Sequence, residues 1–255
     1  MKLIDVISKK YSISKRAAKR YLKTGFVTIN NNQVFKNTDL MENKSTIIKL
    51  NIKYASINNI DYEKYIIKKN SNIIFLYKPA FVHTERHKLE DDFTLDDVVH
   101  QKCANFKLIS RLDYQTDGLI AAINNSFTVY DEEKHYIALI HGCLNEILTI
   151  NNTIDYKKRK KVKVLDQSGS NITTVIPIKK FSNSTIVKII IKKGLRHQIR
   201  AHLAYKGFPI YGDNQYGFKD SAKRLMLSCY YVKINKDLCF SPYLKYFYAQ
   251  IRKLM

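Results

Sequence analysis

In the stretch from Leu108 to Asn124, LISRLDYQTDGLIAAIN, Arg111 stands two residues before Asp113 and a Thr-Asp-Gly turn signal follows, in a chain with 44 Lys and Arg against 22 Asp and Glu. A carboxylate held beside a cation stays ionised and can serve as a nucleophile or a base. The commoner use of such a pair is structural, and this segment taken alone favours that use. Other chemistry-bearing sets are weaker. His197 and His202 are five residues apart with no third ligand nearby, which argues against a metal site. The acids from Glu90 to Asp97, EDDFTLDD, could hold a divalent cation through Asp91, Asp92 and Asp97, but their spacing better fits a solvated loop and a helix start. Cys103, Cys143, Cys229 and Cys239 form no C-x-x-C pair, so zinc and a disulfide framework are not expected and a reducing cytosol fits. There is no G-x-S-x-G, no P-loop and no H-E-x-x-H.

The elements that must position these residues divide unequally. The 255-residue chain is 45% hydrophobic and carries a formal charge of +22, spread from end to end. That composition describes a globular protein meeting a polyanion. No apolar run is long enough to span a membrane and the N-terminus lacks a signal-peptide core, so RNA or DNA is the leading partner class. Residues 1–52 read as a small α+β unit, 53–66 as a polar, tyrosine-rich linker, and 67–255 as a larger α+β unit. In the first, LIDVISKKY has helical spacing, Ser14 can cap a second helix, KRAAKRYLKT, and Gly25 can end it. FVTINNNQV then reads as strand, turn and strand, and TIIKLN as a closing strand. On the second helix Lys15, Arg16, Lys19, Arg20 and Lys23 form a basic stripe, with Ala17, Ala18, Tyr21 and Leu22 facing a core. Five cations with no acid among them point to phosphate rather than to an ordinary solvated face.

This stretch resembles the small RNA-binding domain shared with ribosomal protein S-four, whose basic helix precedes a G-x-V-x-V-N-G hairpin. The matching residues are Gly25, Val27, Ile29 and Asn30, with Asn31 where Gly is common.

In the larger unit, NIIFLYKPAFVHT reads as a buried strand ending at Lys78-Pro79, TLDDVV as a short helix capped by Thr94, and KHYIALIHG and STIVKIIIKK as strands. DYKKRKKVKV is a charge run, and GLRHQIRAHLAYKG turns at Gly194 and continues as a helix to Gly207. Strand signals outnumber helix signals, so a mixed, mostly antiparallel sheet flanked by helices and loops is expected.

Five of these segments, in order, resemble the RluA-type pseudouridine synthases. SRLDYQTDGL is similar to their H-R-L-D-x-x-T-S-G-L, and KKGLRHQIRAHLAYKGFPIYGDNQYG to their long G-R-x-H-Q-I-R-x-H-L motif. The Lys78-Pro79 strand, KHYIALIHG and RLMLSCYYVKI with Pro242 supply the rest. The resemblance implies an isomerase that turns uridine in RNA into pseudouridine without a metal or cofactor. It makes Asp113 the catalytic carboxylate, Tyr136 the ring that stacks on the flipped uracil, and Arg200 the cation paired with Asp113. Arg111 would fill the gap left by the extruded nucleotide, sharing a strand face with Asp113. Ile199 and Leu225 would line the pocket or pack the core.

Departures from the motifs are Ser110 for His, Asp117 for Ser, Leu195 for a basic residue, Phe81 for Gly and Ser228 for His. They bear on RNA contacts more than on chemistry. The expected substrate is large-subunit ribosomal RNA first and transfer RNA second, acted on by a cytoplasmic, monomeric enzyme. The rivals are a non-catalytic RNA-binding or ribosome-assembly protein on the same fold, and the metal-dependent nuclease.

Overall fold

The computed structural model describes residues 2–11, 15–23, 27–39, 47–50, 61–86, 93–103, 105–155 and 161–255; at 16, 17, 20, 23 and 50 it describes backbone alone. The expectations for Ser14, Gly25, Asp91, Asp92, residues 53–60 and the charge run at 156–160 lie outside this set, as do the side chains of Arg16, Ala17, Arg20 and Lys23. The chain divides into two compact units, 1–60 and 61–255.

The first unit has helices α1 (Leu3–Lys10) and α2 (Lys15–Lys23), and strands β1 (Val27–Ile29), β2 (Asn32–Gln33) and β3 (Ile48–Leu50). β1 is central and antiparallel to both neighbours. The β1–β2 turn puts Asn30 and Asn31 at φ of 49° and 67°, a conformation that Asn tolerates better than most side chains. Leu3, Ile7, Ala18, Tyr21, Leu22 and Val27 are buried.

The stripe on α2 needs one correction. Lys15 is not without an acid, because its Nζ lies 2.6 Å from Asp5 Oδ1 on α1. Sequence spacing along one helix cannot show an acid supplied by its neighbour. Lys19 is exposed.

In the second unit a 3-10 turn at Glu63–Tyr65 precedes β4 (Ile66–Lys69), so residues 61–66 belong to this unit rather than to a linker. There follow β5 (Ile73–Lys78), α3 (Leu95–Lys102), β6 (Phe106–Leu108), β7 (Asp117–Asn124), β8 (Glu132–His141), β9 (Leu148–Asp155), β10 (Lys163–Lys180), β11 (Ser184–Ile191), α4 (Gln198–Tyr205), β12 (Leu227–Ile234), β13 (Asp237–Phe240) and α5 (Leu244–Arg252). The sheet runs β4-β5-β7-β12-β8-β11-β10-β9, with β6 on β7 and β13 on β12. Every pairing among these strands is antiparallel except β7 with β12. The fold is α+β.

β5 and β7 read as continuous apolar runs because both of their faces are covered. Ile73, Phe75, Leu119 and Ala121 join the main core, while Ile74, Leu76, Ile120 and Ala122 pack on Leu95, Val98 and Val99 of α3. Thr94 starts α3, and the Asp97 carboxylate accepts from its backbone N–H at 2.8 Å and its hydroxyl at 3.0 Å.

At the parallel crossing Gly118 has φ +123°, and a Cβ there would lie 2.1 Å from the Cys229 carbonyl oxygen. Only glycine permits β7 and β12 to meet this closely. The Thr116-Asp117-Gly118 sequence is therefore not a turn. The turn is at Tyr114-Gln115, and Asp117 already begins the strand.

Candidate active site

Asp113 lies in the irregular segment between β6 and β7, braced from two sides. On one side, the Thr84 hydroxyl donates to the Leu112 carbonyl at 3.0 Å and accepts from the Leu112 N–H at 3.1 Å. The Phe81 N–H donates to the Tyr114 carbonyl at 2.7 Å. Lys78, wholly buried at the end of β5, donates to the carbonyls of Pro79, Val82 and Tyr114 at 2.9, 2.8 and 3.4 Å. On the other side, the Leu225 N–H donates to Gln115 Oε1 at 3.0 Å, and Arg224 straddles Asp117 with two bonds of 3.2 Å. The Asp117 carboxylate also accepts from the Tyr77 hydroxyl at 3.0 Å. Asp117, where Ser is frequent, thus has a local reason, since it anchors Arg224 beneath the loop.

The structure brings Asp113 and Arg200 together across 87 residues. Arg200, on α4, donates from Nη1 to Asp113 Oδ2 at 2.6 Å. Its Nε and Nη2 grip both oxygens of the fully buried Asp213 at 2.7 and 2.8 Å. Asp213 is held in turn by the backbone N–H groups of Gln215 and Tyr216, each at 3.1 Å. Burial opposes the charge on Arg200, but the two carboxylates outweigh it and raise the guanidinium further above its ordinary range. Burial likewise opposes the charge on Asp213, and Arg200 still holds its carboxyl below the ordinary value. Arg200 thus fixes one oxygen of Asp113 and leaves the other free of it. The Asp113 side chain is 27% exposed, open to a cleft of about 900 Å³.

His197 approaches the other oxygen. Its Nε2 lies 3.6 Å from Asp113 Oδ1, beyond hydrogen-bond range. The Tyr216 oxygen accepts from the Val162 N–H at 2.8 Å and lies 2.9 Å from His197 Nδ1, so the imidazole ring is held on the side away from Asp113. Burial, reinforced by Arg200 and Arg196, lowers the imidazole below its ordinary value against the pull of Asp113.

Tyr136, on β8, is 6% exposed and lines the same cleft, together with Ile199, Leu225 and Leu227. Its hydroxyl is raised well above the ordinary value by burial and by the neighbouring Cys229 thiol. Arg111 lines the cleft too, with an exposed guanidinium 3.5 Å from Glu85. It is not on a strand, because pairing with β7 ends at Leu108, so Arg111 and Asp113 share no strand face.

Reasoning from sequence missed His197, Asp213, Lys78 and Arg224 as parts of this arrangement. All four lie inside the matched motifs, but their partners are far away in the chain. Asp97, offered for a nuclease, instead pairs with Arg86 at 2.9 Å. Among the described residues no three His, Cys, Asp or Glu side chains are grouped to hold a metal ion, and no helix is long and apolar enough to cross a membrane.

Comparison with known proteins finds relatives of one family. An "uncharacterized RNA pseudouridine synthase" of Helicobacter pylori is 28% identical over 246 residues, 91% of this chain and 93% of its own. A "ribosomal large subunit pseudouridine synthase C" of Buchnera aphidicola is 28% identical over 243 residues, 84% of this chain and 76% of its own. The structure of human RNA pseudouridylate synthase domain containing 1 superposes with a TM-score of 0.55 at 21% identity, covering 69% of this chain and 82% of that one, which speaks for the fold. The model of the RNA pseudouridylate synthase family matches residues 72–205. With that match spanning more than half its length, the chain belongs to the RNA pseudouridylate synthase family and is an enzyme of that class.

Proposed function

We propose that the enzyme converts particular uridines of structured RNA to pseudouridine, with large-subunit ribosomal RNA as the first substrate to test and transfer RNA as the second. One observation carries the reading. The Asp113 carboxylate is partly open to a cleft and is held at 2.6 Å by Arg200, an arginine that Asp213 also grips. A carboxylate in that setting can attack C1′ of the ribose or start elimination through the 2′ position. Either way the N1–C1′ bond breaks, the base turns, C5 joins C1′, and the proton lost from C5 is made up at N1. The atoms balance as an isomerisation.

In this reading Arg200 and His197 orient Asp113, Tyr136 meets the flipped uracil, and Arg111 occupies the gap in the RNA. Extruding the nucleotide costs a few kcal/mol, which contacts made on binding must offset. The cations of α2 and the resemblance of residues 1–52 to the S-four-type domain favour a second RNA contact. The preference for ribosomal RNA rests on relatives named for the large subunit.

The test is pseudouridine mapping of total RNA with the gene intact, deleted, and replaced by Asp113→Asn. One or more sites should vanish in the last two. A site that persists in the Asn variant, with deamidation excluded, would sink the assignment of Asp113.

A further inference from the structure

Phe81 stands where the matched motif commonly has glycine, and its backbone shows why glycine suits the position. Its φ is +64°, in the left-handed region that side chains rarely adopt. The conformation is enforced, because the Phe81 N–H donates to the Tyr114 carbonyl and Lys78 ties down the carbonyls on either side, Pro79 and Val82. A large ring at a glycine position carries a backbone penalty. Burial does not offset it, since Phe81 is 48% exposed.

The ring is not isolated. It packs edge-on against Tyr114, with centroids 5.8 Å apart at 75°. Tyr114 is 44% exposed and follows Asp113 directly in the chain. His83 lies against the other ring at 4.5 Å and 30°. Tyr114 and His83 line the cleft beside Arg111. Tyr114 and His83 thus stand on the rim next to the proposed nucleophile, with a cation on the same rim, and Phe81 extends this aromatic surface outward from Tyr114. Exposed aromatics set among cations are what single-stranded nucleic acid meets on proteins that bind it, because every base has a π-face. Other exposed rings, such as Tyr130, Phe218 and Phe240, are not bonded to this loop.

We infer that Phe81 and Tyr114 form a base-stacking subsite that takes an unpaired nucleobase flanking the uridine as that uridine enters the cleft. The inference rests on the reading proposed above and adds to it a contact that reads RNA structure next to the target. An unpaired neighbour can reach this aromatic surface, and a neighbour stacked inside a continuous duplex cannot. The subsite would select targets at loops and bulges.

The decisive variant is Phe81→Gly. It removes the ring and relieves the left-handed strain, while the added freedom of glycine in the unfolded chain works the other way. The melting temperature should therefore stay within about 2 °C of wild type. Structural damage then cannot explain a loss of function. Large-subunit ribosomal RNA transcribed in vitro, and transfer RNA transcripts, serve as probes to find a modified uridine. A short stem-loop carrying that uridine is then made with 2-aminopurine on its 5′ or its 3′ side. Wild type should quench one of the two labels on binding. Phe81→Gly should leave it bright and raise KM by about tenfold, near the low end of what losing one aromatic–base stack produces, with kcat little changed. Phe81→Tyr should restore both. Equal KM and equal quenching for wild type and Phe81→Gly, in a preparation that forms pseudouridine, would overturn the subsite and leave the proposed function standing. If wild type forms no pseudouridine on any transcript, the proposed function fails and the subsite with it.

Discussion

Replacing Lys78 by Met should change how stability depends on pH, by an amount that follows from its surroundings. The Lys78 amine is fully buried at the end of β5 and donates only to main-chain carbonyls. Burial lowers it from 10.5 to about 7, while Asp117 and Asp113 pull the other way. The unfolded chain keeps the ordinary value. Between pH 7 and pH 10.5 the unfolded state therefore binds the extra proton, and stability must rise with pH across that window. Integrating between these two values, the rise from pH 7 to pH 9 is about 2 kcal/mol, or roughly 1 M in the urea midpoint. Below pH 7 little further change comes from this group. Met has a similar length and no titrating amine, so the wild-type stability minus that of the variant should grow by about 2 kcal/mol over the same interval. Tyr77, Tyr136 and Cys229, all raised by burial, titrate in both proteins and cancel in the difference. Urea titrations at pH 7, 8 and 9, followed by tyrosine fluorescence and circular dichroism, measure it. Curves for the two proteins that stay parallel across this range would refute the argument, and with it the picture of a dry amine beneath the Asp113 loop.

Three further outcomes follow from the same geometry. Tyr136→Leu should keep RNA affinity, which phosphates dominate, and lose most of the rate in single-turnover assays; unchanged turnover would remove Tyr136 from the chemistry. His197→Ala should lower kcat by about 10- to 100-fold through misplacement of Asp113, with KM little changed, and Tyr216→Phe should reproduce part of the loss because it removes the hydroxyl that holds the imidazole ring; a change confined to KM would place His197 in RNA binding instead. Removing residues 1–60 should weaken RNA binding and flatten its log–log salt dependence by about 2 to 3 units, since Lys15 is already engaged by Asp5; equal slopes with and without these residues would mean the α2 cations lie on a solvated face.

Much of this arrangement could be read from the chain, for reasons that differ by residue. β5 stood out because a strand covered on both faces leaves an unbroken apolar run, and α4 because turn and glycine signals bracket it. The importance of Asp113 came from ordered resemblance, since its own spacing favoured a plain ion pair with Arg111. The structure gives Arg111 to Glu85 and Asp113 to Arg200, a partner 87 residues away that no local pattern could reveal. Asp213 and His197 were hidden for the same reason. His197 looked like a poor metal ligand because only the pair with His202 was visible. Its hydrogen bond to Tyr216, and through it to Val162, exists only after the chain has turned back on itself. The Thr-Asp-Gly segment misled for a different reason. Gly118 is there for close strand packing rather than for a turn, and both uses leave the same letter in the sequence.

The crossing of β7 with β12 also sets when the enzyme comes into being. The Asp113 loop waits for Leu225 to bond Gln115, and Gly118 waits for Cys229, more than a hundred residues later in each case. At ordinary speeds of protein synthesis that gap takes roughly 5 to 20 s. Over that interval the emerging chain already carries Asp113 and gains Tyr136 and most of its remaining cations, but not the strand that closes the loop. A growing chain rich in positive charge can thus meet the RNA of the ribosome that is making it, without yet having the means to modify it.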